Sequence, residues 1–87
     1  MFVSVIHRIS DPERFSEMAN SATIPQDLRL PQVISAADRS TTVCLWEAPS
    51  VARVRDFLEP LTAGICVNEY AEVDPSLSMG LPAATVA

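Results

Sequence analysis

Apolar and polar positions along the chain switch between strand-like and helix-like spacing. Residues 2–9, FVSVIHRI, are rich in β-branched side chains and predict a strand. In the segment that follows, Asp11 suits an N-cap, Pro12 the first helical position and Glu13 the positive end of the helix dipole. Phe15, Met18, Ala19 and Ala22 continue at helical spacing, so a helix is expected over about 12–21. Pro25 lies in a loop over 23–27. Residues 28–36, LRLPQVISA, alternate only in part, and Pro31 marks an edge strand or a bulge. ADRST, 37–41, is a hairpin turn with Asp38 as turn former. Residues 42–48, TVCLWEA, form a strand without strict alternation, as in strands buried on both faces. Ser50 caps a second helix, in which Val51, Val54, Leu58 and Leu61 share a stripe with Phe57 beside it. Arg53, Arg55, Asp56 and Glu59 fall on its other side, Pro60 ends or kinks it, and Gly64 supplies the exit. Residues 65–73, ICVNEYAEV, form the last strand.

The order β-α-β-β-α-β with right-handed crossovers gives an α+β, ferredoxin-like fold. Its four strands make one antiparallel sheet in the order 4-1-3-2, with both helices on one face. The domain spans 1–75, and 76–87 form a C-terminal tail. The uncovered face should then be polar, yet neither parity of the inner strands is. Val3, Val5 and Ile9 share a parity with His7, whereas Phe2 and Ile6 share one with Ser4 and Arg8. In the third strand Val43 and Leu45 oppose Cys44 and Trp46. An apolar open face predicts an interface, here with a second copy of the chain, or else the tail folded back over it.

Length and charge narrow the partners. The chain has 87 residues, enough for one domain, and a chain of this size buries only about 60–65% of its unfolded surface. Pairing would add to a modest core. Eleven acids against six bases give a net charge of −5, and every base is arginine. With no basic stripe, neither nucleic acid nor an anionic membrane is an expected partner. No apolar run is long enough to span a bilayer, and MFVSVIHRIS reads as a strand rather than a signal peptide. The cytoplasm is therefore the expected location, with Cys44 and Cys66 both reduced.

The segments HRISDPERF, VCLWEAPSVARVRDFLEP and VNEYAEVD together resemble small bacterial members of the dimeric α/β-barrel superfamily. The densest part of the likeness is Trp46, Glu47, Ala48, Ser50, Val54, Arg55, Phe57, Leu58 and Pro60, and the whole covers about 2–75. The resemblance implies two ferredoxin-like sheets packed face to face around a cavity. It implies a range of activities, among them cofactor-free monooxygenases and polyketide cyclases, and a nickel-associated group of similar size. Architecture follows from it more closely than activity.

Five residues stand out for chemistry. His7 is the sole histidine, and antiparallel pairing sets it beside Thr42–Cys44 and Cys66–Asn68, where it suits a general acid or base. Glu47, between Trp46 and Ala48, needs either a partner such as Arg8 or Arg55 or a wet cavity, where it would be a second catalytic candidate. Trp46 suits stacking on an aromatic ligand or simple core packing. Asn68 and Tyr70 share a face of the last strand, with Glu69 opposite, and are ligand-binding candidates. His7, Cys44 and Cys66 could form a soft-metal trio if they share a parity, but no CxxC or HxxxH spacing supports one, and no metal ligand is assigned. Two glycines allow no phosphate loop, so no cofactor is expected. The expected function is binding of an apolar or aromatic small molecule by a homodimeric barrel, in the direction of a cofactor-free monooxygenase or cyclase of a biosynthetic pathway. A nickel-type metal-binding protein and a non-catalytic structural or regulatory dimer are the alternatives.

Overall fold

Local chemistry starts each helix where the sequence places it. In the computed structural model, which describes residues 1–85, the Asp11 carboxylate accepts the Arg14 amide at 3.1 Å. Pro12 opens helix α1 (Pro12–Ser21) where its missing N–H costs nothing. Ser50 accepts the Arg53 amide at 3.1 Å and caps α2 (Val51–Thr62). That helix runs past Pro60 to Thr62, whose hydroxyl donates to the Leu58 carbonyl at 2.9 Å. Gly64 then turns the chain at φ 76°. Of the expected tail, 76–87, residues 86–87 lie outside the described ones.

The strands are β1 (Phe2–Ile9), β2 (Arg29–Ser35), β3 (Thr41–Glu47) and β4 (Cys66–Glu72). They form one antiparallel sheet in the order β2-β3-β1-β4, which is the ferredoxin-like 4-1-3-2 order read from the other edge. The β2–β3 ladder shifts register between Arg29 and Gln32, around Pro31, which has no N–H to give. The hairpin from β2 to β3 turns through Arg39 at φ 66°, with Asp38 accepting the Ser40 amide.

Register assigns the faces. Val5 lies between Cys44 and Tyr70, and His7 between Thr42 and Asn68. Val3, Val5, Cys44 and Trp46 meet Val54 and Leu58 of α2 in the buried core. By contrast α1 buries no residue completely.

The opposite face carries Phe2, Ser4, Ile6 and Arg8 of β1 and Val43, Leu45 and Glu47 of β3. Phe2, Leu45 and Glu47 are buried although no helix covers them. The tail accounts for this. After a short 3₁₀ turn (Pro75–Leu77), it is tied to the sheet at three places. Gln32 Nε2 donates to the Gly80 carbonyl, Arg29 to that of Ala83, and the Thr85 hydroxyl to Glu47 at 2.7 Å. The other end of this face stays open, with Ile34 64% and Val67 69% exposed.

Candidate functional site

A cleft of about 110 Å³ lies between the two helices and the sheet. Its walls are almost wholly apolar: Phe15 and Met18 from α1, Phe57 and Leu61 from α2, and Trp46 from β3. His7 and Thr42 supply side-chain polar groups at the sheet. The cleft exists because α1 stands on the sheet without sinking a side chain into the core.

His7 is only 2% exposed, and the Phe15 ring lies 5.2 Å away, centroid to centroid. Its Nδ1 meets Asn68 Oδ1 at 2.5 Å. Among the described residues Nε2 has no hydrogen-bond partner, yet it is not sealed off, since Trp46 Nε1 is the buried side-chain nitrogen left without one. His7 is among the residues that line the cleft, and Nε2 is its ring nitrogen without a protein partner. Burial lowers the His7 pKa, against a smaller upward pull from the Asn68 hydrogen bond and the Glu59 charge.

Behind His7 stands a polar cluster built by β4 and the end of α2. Asn68 Nδ2 donates to Glu59 Oε2 and to Thr62 Oγ1, both at 2.8 Å. The Tyr70 hydroxyl donates to the same Glu59 oxygen at 2.6 Å. These bonds from Tyr70 and Asn68 hold the Glu59 carboxyl below its usual range. Burial, with the bond to Glu59, pushes the Tyr70 phenol up. The Cys66 thiol donates to Asn68 Oδ1 at 3.1 Å. Burial raises Cys66, and it pushes Cys44 up to about 11, so both are neutral thiols near pH 7.

The five residues singled out from the sequence therefore divide. His7 and Trp46 line the cleft. Asn68 and Tyr70 share their face of the sheet but sit behind His7, reaching the cleft through hydrogen bonds. Glu47 lies on the other face. Its partner is Arg29, at 2.9 Å, rather than Arg8 or Arg55. Thr85 and Arg29 keep its carboxyl ionised by lowering its pKa. It borders a separate opening of about 870 Å³ between the tail and the sheet end. His7, Cys44 and Cys66 share the helix-covered face, but among the described residues no group of three His, Cys, Asp or Glu is placed to hold a metal ion.

Sequence reasoning missed two members of the site, Thr62 and Glu59. Glu59 falls on the polar side of α2 and reads as a solvated charge. The available signal was its place in the last turns of α2, a short loop before β4, which lets a long side chain reach Asn68 and Tyr70.

The fold and the cleft together define a small ferredoxin-like α+β protein with an internal apolar site. No family model, curated protein or solved structure matches the chain. Among the described residues no helix is long and apolar enough to cross a membrane.

Proposed function

We propose that this chain binds a small apolar or aromatic molecule in the cleft between its helices and sheet, with His7 as the polar anchor and proton acceptor. The observation that carries the reading is an imidazole that lines an otherwise apolar cleft and has one ring nitrogen without a protein partner. A buried neutral histidine accepts a proton more readily than water does, and apolar walls strengthen its hydrogen bonds. An Nε2 lone pair held against a bound O–H or N–H can take up its proton, so the anchor also suits general-base catalysis of the kind a cofactor-free oxygenase or cyclase would need. Trp46 and Phe15 form the aromatic walls. In this reading Glu47 has no part in the cleft and serves the tail.

We further propose that a second copy of the chain covers the part of the open sheet face that the tail leaves free. Ile34, Val43 and Val67 are exposed there, on strands that present a continuous surface. For a chain with so small a core, that burial adds stability the monomer lacks.

A thermal-shift screen of single-ring aromatic compounds tests the cleft. Ala19 lines it from α1 and is itself exposed, so Ala19→Trp fills the space at little cost to the core. Compounds are expected to raise the melting temperature of the wild-type protein and not that of Ala19→Trp. No shift with any compound, or equal shifts in both proteins, refutes the cleft as a binding site.

A further inference from the structure

The orientation of the His7 ring is determined by groups that never touch the cleft. Glu59, ionised, can only accept hydrogen bonds. The end of the Asn68 side chain that faces Glu59 at 2.8 Å must therefore be the amide NH₂. Thr62 agrees, because its hydroxyl hydrogen is spent on the Leu58 carbonyl and its oxygen accepts from the same NH₂. The Tyr70 hydroxyl likewise donates its hydrogen to Glu59. The other end of Asn68 is then the carbonyl oxygen, and it faces His7 Nδ1 and the Cys66 thiol. A carbonyl accepts, so Nδ1 must carry the proton. A neutral imidazole has one N–H, which leaves a lone pair on Nε2, the nitrogen without a protein partner.

We propose that Glu59, acting through Asn68, fixes His7 as the Nδ1–H tautomer and so makes the cleft selective for small neutral molecules that carry an O–H or N–H donor on an apolar body. This selectivity rests on the reading of the cleft as a ligand site; the tautomer does not. A ligand donor meets the Nε2 lone pair. A ligand that can only accept leaves that lone pair buried and unpartnered, which is the costly arrangement for a desolvated polar group. The volume sets the scale: an apolar cavity of about 150 Å³ holds benzene, so a cleft of about 110 Å³ suits one ring. Asn68 and Glu59 are positioning residues, since neither lines the cleft. The cleft supplies no strong positive group to an anion, because His7 itself stays neutral above its lowered pKa.

His7 is the sole histidine, so in tag-free protein its ring nitrogens are the only imidazole signals in a ¹⁵N spectrum. At pH 7.5 the ligand-free protein is expected to show a protonated Nδ1 and an unprotonated Nε2. Dominance of the Nε2–H form overturns the inference. Glu59→Ala, at an exposed position, is expected to move the pair of shifts toward a tautomer mixture while the fold persists. Unchanged shifts in that variant overturn the role of Glu59. Binding is measured with phenol, toluene and benzaldehyde, which share a ring and differ in donor and acceptor. Phenol is expected to bind about tenfold more tightly than either, the ratio one good hydrogen bond provides. In Glu59→Ala that ratio is expected to shrink. Equal binding of the three overturns the donor selectivity and leaves the cleft reading standing. Failure of all three to bind overturns the cleft reading, and the selectivity with it, while the tautomer measurement still judges the relay.

Discussion

A buried histidine that resists protonation makes stability depend on pH in a calculable way. The imidazole of the unfolded chain takes up its proton near pH 6.5, whereas burial holds the folded His7 pKa below that value. Above pH 6.5 neither state binds the proton and the full stability is present. As pH falls below 6.5 the unfolded chain gains a proton that folded His7 refuses, so stability is lost. The loss stops once pH passes the folded pKa. Within that window the slope is at most about 1.4 kcal/mol per pH unit, set by 2.303RT for one proton. For a domain with about 5–15 kcal/mol in total, even one unit of this window is a measurable share. Other groups titrate nearby, including Glu59 beside Asn68 and the remaining carboxylates, so the raw curve is not the test. The test is the difference between wild type and His7→Phe, which keeps an aromatic ring against Phe15 and removes the proton site. Urea unfolding of both proteins at half-unit steps from pH 8 to 4.5 gives the two curves. The variant carries a constant offset from altered packing and from the bond Asn68 loses. Below pH 6.5 the wild type is expected to fall more steeply than the variant, and above it the curves run parallel. Parallel curves over the whole range would refute the reasoning, since they would mean that His7 binds its proton equally in both states.

Two further outcomes follow from the open face of the sheet. Glu47→Ala removes the acceptor for the Thr85 hydroxyl and amide, so the Thr85 amide is expected to lose its protection in hydrogen exchange while β1 and β3 keep theirs; retained protection at Thr85 would show that other contacts hold the tail. Sedimentation at micromolar concentration is expected to give a dimer for the wild type and a monomer for Ile34→Glu with Val67→Glu; a monomeric wild type would sink the pairing.

Much of the fold is written locally, and the parts that are not written have physical reasons. Asp11 with Pro12, and Ser50, start the helices by capping chemistry that operates within one turn. Pro31 marks β2 as an edge strand, because an inner strand has no room for a missing donor. The register that places His7 opposite Asn68 follows from element order and antiparallel pairing. The face His7 takes was not legible, since both parities of β1 are apolar and only the helices decide which becomes the inside. The same ambiguity hides Glu47. It neighbours Trp46, and adjacent strand residues face opposite ways, so the two cannot share a cleft. Pro60 reads as an end or a kink, and it does not end α2, which runs on to Thr62. Glu59 was illegible for a different reason: its partners lie on another element, and on α2 it shares the polar side with Arg53, Arg55 and Asp56. The return of the tail depends on a few isolated hydrogen bonds with Gln32, Arg29 and Glu47, which leave no periodic trace.

That α1 buries no residue completely bears on how occupancy of the cleft would be felt elsewhere. α2 is anchored through Val54, Leu58 and Thr62, whereas α1 commits no side chain to the sealed interior. Elements held by few buried groups open first and at the smallest free-energy cost. A molecule under α1 supplies the contacts that the helix lacks, and it stabilises the closed arrangement by RT ln(1 + [L]/Kd). On the proposed reading, occupancy would lengthen the closed lifetime of a single helix whose outer surface, with Glu13, Arg14 and Glu17, faces solvent, with no change required in the sheet below it.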